Sequence, residues 1–242
     1  MPTTYTAPGG SYSRLYADMA NQINLLIGGR IGSGKSTVIN GILHAILHDA
    51  PTADRLILID LKKVELVEYR DLPHVVTYAD DATSAIQALQ TALMIINARY
   101  AEMQPKRLRE YNGSHLYIII DELADMLTDN AIKKQAAELL QRIAQIGRGA
   151  RVHIIAGTQH IPTVPTSIRC NFDSRLGLRT STPQDSRNII FRTGAEKLPN
   201  PRIEHRALGY YLTDGDPILY ELPMVPDAER RRVIDHWARQ SA

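Results

Sequence analysis

The stretch that most restricts the fold begins with an apolar run, Ile23-Asn24-Leu25-Leu26-Ile27. It passes into Gly28-Gly29-Arg30-Ile31-Gly32-Ser33-Gly34-Lys35-Ser36-Thr37 and leaves through a helical pattern from Val38 to Leu47. A strand, a glycine-rich turn and a helix start in that order demand a sheet with the helix packed against it. Gly29, Gly34, Lys35 and Ser36 also meet the spacing G-x-x-x-x-G-K-[ST] of a phosphate-binding loop. In such a loop, the backbone N–H groups of residues 29–37 cradle phosphates, the lysine reaches the β/γ oxygens, and the serine hydroxyl ligates Mg²⁺. The positive end of the following helix points at the same spot. The expected ligand set is ATP with Mg²⁺, bound by Gly29, Arg30, Ile31, Gly32, Ser33, Gly34, Lys35, Ser36 and Thr37. The alternative is a glycine-rich turn that binds nothing.

The rest of the chain supplies the matching elements. Strand-like runs at Arg55–Asp60, Leu116–Asp121, Val152–Thr158 and Arg175–Thr180 alternate with helical patterns at Ala82–Met103 and Ile132–Ile146. Near-continuous Ile, Leu and Val in those runs predict strands buried on both faces, hence an α/β fold with a mostly parallel sheet and helices on both sides. Ligands of such sheets sit at the carboxyl ends of the strands. After Gly194 the pattern becomes a C-terminal β-hairpin, Ala207–Thr213 with Pro217–Leu222, turning at Asp214-Gly215-Asp216; a final helix, Asp227–Arg239, takes Asp227 as its N-cap. Residues 1–20 read as a polar arm leading to a short helix around Tyr12–Ala20, and residues 21–242 as one domain.

Two adjacent carboxylates, Asp121 and Glu122, end the run Tyr117-Ile118-Ile119-Ile120. Beside a phosphate loop, this is the second half of a nucleotide-hydrolysing site: Asp121 holds the Mg²⁺ shell with Ser36, and Glu122 polarises the attacking water. Alternatively the pair only caps the helix that follows. Gln159 ends the strand Val152–Thr158 and is a candidate sensor of the γ-phosphate; a plain hydrogen bond to a loop is the other reading. Asp60 and Lys62 reach the same side of the sheet, where they either tune the site or form an ordinary strand-to-loop junction. Arg148, Arg151, Arg169, Arg175, Arg179, Arg187 and Arg192 form a dense run that faces a neighbouring subunit's nucleotide, a phosphate backbone, or solvent.

The net charge of +2 neither requires nor excludes nucleic acid. A single cysteine, Cys170, rules out an intrachain disulfide and is expected to be a buried thiol. No run of 18 apolar residues and no signal-peptide layout at Met1-Pro2-Thr3 occur, so the chain is expected to have no membrane segment of its own and to be cytoplasmic.

From about Asn24 to Leu198 the chain resembles the RecA-like motor domain of FtsK/SpoIIIE double-stranded DNA translocases. The resemblance rests on the phosphate loop through Asn40, Asp60-Leu61-Lys62-Lys63-Val64-Glu65-Leu66, Leu72-Pro73-His74, Arg99-Tyr100-Ala101-Glu102-Met103 and Tyr111-Asn112. It continues through Asp121-Glu122-Leu123-Ala124-Asp125-Met126, the helix and turn Leu140–Ala150, Thr158-Gln159, Asp185-Ser186-Arg187 and Gly194-Ala195-Glu196-Lys197-Leu198. It implies an ATP-driven motor, a homo-hexameric ring around double-stranded DNA, with Lys35, Glu122 and Gln159 catalytic. Departures occur where the family has Asp-Pro-Lys (here Asp60-Leu61-Lys62) and Thr-Gln-Arg-Pro (here Thr158-Gln159-His160-Ile161-Pro162). His160–Arg169 looks shortened, and Pro199-Asn200-Pro201-Arg202-Ile203-Glu204 replaces a glycine-rich tract; loops facing a ring channel are expected in these regions. The membrane anchor, preceding domain and winged-helix reader of the large chromosome translocases are not found, so a mobile element, conjugative system or phage is the expected setting.

Arg187, placed by the reading at a sheet edge away from the phosphate-loop helix, is the expected arginine finger acting on a neighbour's nucleotide, with Arg148 as runner-up. An internal pair with Asp185 or a helix-start contact is the alternative. Two other functions compete with DNA translocation: a secretion-type ATPase moving polypeptide, and a non-motor ATP-binding regulatory module.

Overall fold

A computed structural model describes residues 4–7, 10–14, 24–49, 54–204, 207–213, 215–222 and 224–240 of the 242. The elements run β1 (Thr4–Ala7), β2 (Gly10–Arg14), β3 (Asn24–Gly28), α1 (Lys35–Asp49), β4 (Arg55–Ile59), β5 (Val75–Ala79), α2 (Ala82–Lys106) and β6 (Leu116–Ile120). There follow α3 (Leu123–Thr128), α4 (Lys133–Ile146), β7 (Val152–Thr158), α5 (Thr166–Arg169), β8 (Ser174–Gly177), α6 (Pro183–Ile190), α7 (Pro201–Glu204), β9 (Ala207–Leu212), β10 (Ile218–Leu222) and α8 (Asp227–Ala238).

One sheet takes them in the order β1-β2-β10-β9-β8-β3-β7-β6-β4-β5. From β8 to β5 every pairing is parallel, as connections through helices require, and β9 joins antiparallel to β8. The strand that feeds the glycine-rich loop, β3, is therefore central, between β7 and β8.

Period-two alternation explains how five-residue strands support two cores. In β6, Leu116, Ile118 and Ile120 face one layer and Tyr117 and Ile119 the other. The first layer packs α2, α3, α4 and α6; the second packs α1 and α8. Helix α1 meets the sheet through Val38, Ile39, Leu43, Ile46 and Leu47, which recur at helical spacing. Helix α2 starts at a capping box in which the Asp81 carboxylate accepts from Ser84 N–H, and it ends at Arg107 in the left-handed conformation.

The expected strands and long helices are present within a few residues of their expected bounds. The edge strand β5 was not foreseen: Val75-Val76-Thr77-Tyr78-Ala79 is half-exposed and carries no continuous apolar signal. Three expectations are corrected. Tyr12–Arg14 lie in β2 rather than in a helix, while 15–23 fall outside the described residues. Asp227 is the first residue of α8, whose N-cap is Pro226 with no side-chain capping bond. Cys170 is exposed, because it follows the single turn of α5 on the surface. Asp214, in the expected hairpin turn, also lies outside the described residues. No helix among the described residues is long and apolar enough to cross a membrane.

Candidate functional site

The carboxyl ends of β3, β6 and β7 bring four sequence-predicted residues together. Lys35, the first residue of α1, sends its ammonium under the loop to Asp121, donating to the carboxylate Oδ1 and to the backbone oxygen, each at 2.6 Å. Lys35 is 4% exposed and Asp121 2%, so both charges are out of water and each needs the other. Asp121 Oδ2 has no hydrogen bond among the described residues, so this carboxylate oxygen and the Ser36 hydroxyl would be the two hard donors for a Mg²⁺ ion. That donor set, two hard oxygens beside a phosphate cradle, suits Mg²⁺. The other basis for the site is the loop backbone itself: Gly32 and Gly34 have φ of +73° and +95°, the left-handed values that turn successive N–H groups into an anion-binding concavity.

Glu122 occupies the N-cap position of α3 yet makes no capping bond. Its two carboxylate oxygens instead accept from the backbone N–H of Gln159, at 3.1 and 3.0 Å. Glu122 therefore makes no side-chain cap, and the contact links the end of β6 to the end of β7. Lys62 Nζ lies 3.7 Å from the same carboxylate and 3.6 Å from Asp125. The Gln159 side chain has no hydrogen bond among the described residues, so its amide is not committed to a loop. Asp60 is fully buried and accepts from the N–H groups of Val64 and Leu66 through Oδ2, at 3.0 and 2.9 Å. It thus shapes the turn that carries Lys62, and the two residues share the work: one builds the junction, the other reaches the site.

Gly157 is a site residue that sequence reading passed over, since a glycine inside an apolar strand carries no chemical signal. A methyl group there would sit 2.4 Å from Asp121 O and 2.8 Å from Lys35 Cδ. Only glycine leaves room at the end of β7 for both the Asp121 backbone oxygen and the lysine stem that passes over the strand to reach it.

The arginine run does not form one patch. Arg175 is buried and donates to the carbonyls of Arg169 and Phe172, at 2.7 and 3.4 Å, while its guanidinium lies over the Phe191 ring. Arg169 donates to Asn188 O, Arg151 pairs with Glu110, and Arg192 pairs with Asp216. Arg187 is exposed on α6, with Nε 3.4 Å from Gln184 Oε1, and lines a pocket with Arg169, Cys170, Arg175 and Phe191. It is not at a sheet edge, because β8 lies between β3 and β9; it is on the face opposite α1. Asp185 is engaged with Thr182 in a capping box, not with Arg187. Arg148 precedes β7 at its amino end, the far end of the strand from Gln159. The tract Pro199–Glu204 brings Pro201 and Arg202 beside Gly34 and Gly32 of the glycine-rich loop.

The family model for the FtsK/SpoIIIE family matches residues 6–213. The chain is 32% identical over 242 residues to the DNA translocase FtsK of Tropheryma whipplei, covering 90% of this chain and 32% of that protein. It spans about a third or less of the curated relatives it matches. Among solved structures, the pCW3 conjugation coupling protein TcpA with ATPγS superposes with a TM-score of 0.77 at 17% identity, over 97% of this chain and 70% of that one. EssC (ATPases 2 and 3) from Geobacillus thermodenitrificans gives 0.79 at 15% identity, over 96% and 46%. These likenesses establish the P-loop ATPase fold.

Replacing Gly157 with alanine is expected to force β6 and β7 apart or dislodge Lys35. Unfolding free energy should fall by about 2 kcal/mol in urea titration, and nucleotide affinity by at least about tenfold.

Proposed function

The chain belongs to the FtsK/SpoIIIE family, and on that footing we propose that it is an ATP-hydrolysing motor that moves double-stranded DNA. The observation that carries the proposal is the continuous chain of contacts Lys35–Asp121 and Glu122–Gln159 across three adjacent strand ends. Phosphoryl transfer needs positioning and electrostatics more than covalent help from protein. Gly29–Thr37 supply the N–H cradle, and Lys35 meets the β/γ-phosphates. Ser36 and Asp121 would hold Mg²⁺, which would supply positive charge against the phosphates.

Glu122 takes a proton from the attacking water. The Glu122 carboxylate has about four lone-pair sites, so it can keep the Gln159 N–H while it accepts from the water, and Gln159 orients the base as well as facing the γ-phosphate. A shift of the β7 end then alters hydrolysis, and movement in the loop after Gln159 travels with it. This is the route by which a DNA-contacting loop and the ATP site would speak to each other. A ring of identical subunits, acting in the cytoplasm on behalf of a mobile element, conjugative system or phage, fits a motor of this kind. In that ring Arg187, exposed and on the face opposite the phosphate-loop helix, serves a neighbour's nucleotide as a trans-acting finger.

Hydrolysis measured with and without linear duplex DNA tests the motor. Duplex of any sequence should raise the rate, and binding should weaken with salt, log K falling by about 0.9 per phosphate neutralised for each unit of log salt. Glu122→Gln should still bind ATP while losing about 10² to 10⁴ in turnover, with or without DNA. A rate indifferent to nucleic acid would point to polypeptide cargo, and wild-type turnover in Glu122→Gln would remove the base.

Arg187→Ala should bind ATP normally and lose about 10³ or more in turnover. Mixing it with Lys35→Ala subunits should restore part of the activity at interfaces that join an intact loop to an intact finger. Absence of recovery despite co-assembly would return Arg187 to a surface role.

A further inference from the structure

The glycine-rich loop is flanked by a segment about 170 residues further along the chain. Pro201 Cγ lies 4.0 Å, and Ala207 Cβ 3.6 Å, from the position a methyl group on Gly34 would take. Next to them, Arg202 Cζ and Nε lie 3.5 Å, and Nη2 3.8 Å, from the corresponding position on Gly32. The guanidinium therefore lies beside Gly32, within ordinary contact range of where a side chain on that residue would begin, in the loop whose left-handed turns form the anion concavity. Its own backbone is anchored: Arg202 N–H donates to Asn200 Oδ1 at 3.2 Å, and buried Ala195 and Leu198 hold the preceding segment to the core.

Charge accounting shows what that guanidinium lacks. Lys35, the lysine of the loop, is neutralised by Asp121 at 2.6 Å. Arg202 is exposed and has no ion-pair partner among the described residues. A polyphosphate entering the concavity meets one cation that is already half-satisfied and, over Gly32, a planar fork of donors with no carboxylate to oppose it.

We propose that Arg202 is a nucleotide-binding residue acting within its own subunit, closing over the loop to hydrogen-bond the polyphosphate of ATP. The proposal rests on the reading of residues 29–37 as the ATP site. It gives α7 a purpose that its four residues do not announce: to carry one cation to the loop from the strand-to-hairpin connection. Because Arg202 sits on the segment leading into β9, ATP binding would also tie the C-terminal hairpin to the phosphate loop.

Displacement of a fluorescent ATP analogue by ATP and by inorganic tripolyphosphate, on wild type, Arg202→Ala and Arg202→Lys, tests it. Arg202→Ala should weaken both competitors by about tenfold to a hundredfold, as loss of a charge-assisted bond implies. Arg202→Lys should regain part of that loss for both, because the charge returns without the fork. Weakening for ATP with tripolyphosphate unchanged would assign Arg202 to the base or sugar and overturn the phosphate contact. Unchanged affinity for both would overturn any nucleotide contact. A wild-type protein that binds neither ATP nor its analogue would fail the ATP site itself and this contact with it, an outcome visible before any variant is compared.

Discussion

The buried pair of Lys35 and Asp121 organises the site, because neither charge can stay where it is without the other. Removing one partner of a buried pair typically costs about 3 to 5 kcal/mol, whereas replacing both can be nearly neutral. The pair also joins two elements distant in sequence, the start of α1 and the end of β6. It passes over β7 at Gly157, where no side chain could fit. A strand with a missing side chain, a helix with a lysine at its first position and a strand with an aspartate just past its end thus form one mechanical unit. On the proposed function, the phosphates of ATP would compete with Asp121 for the lysine of this unit.

The second link, Glu122 to the backbone N–H of Gln159, extends this unit sideways. Backbone N–H donors do not rotate away as side chains do, so the carboxylate is oriented by strand position. Lys62 approaches it from the next strand end, on a turn fixed by the Asp60 carboxylate. The start of α1, the ends of β6 and β7 and the turn after β4 therefore converge on two carboxylates, which agrees with the rule that parallel sheets bind ligands at their carboxyl edge.

Much of this was legible in the sequence, for a physical reason. The phosphate loop, Asp121-Glu122 and Gln159 are each read from local patterns: an apolar run ending in the residue types that the chemistry needs. What escaped depends on contacts between distant segments. Strand order is one case: Arg175–Thr180 read as an edge, yet the hairpin adds β9 beside it and makes it interior. Arg175 is another, drawn from a run of arginines that looked solvated but buried to satisfy carbonyls around α5. Gly157 and Arg202 carry no local signal, since their importance lies in what passes within 3 or 4 Å of them. Val75–Ala79 was missed because an edge strand needs apolar residues on only part of its surface.

Calorimetric titration with ATP and Mg²⁺ of a variant carrying both Lys35→Met and Asp121→Asn tests the central claim most directly. Both buried charges are removed together, so no unpaired buried charge is left and the fold should survive, with cooperative unfolding retained. The account predicts that this folded variant loses ATP affinity by about a hundredfold or more, because the cation for the phosphates and the metal-holding carboxylate are both gone. A folded double variant that binds ATP as the wild type does would contradict it.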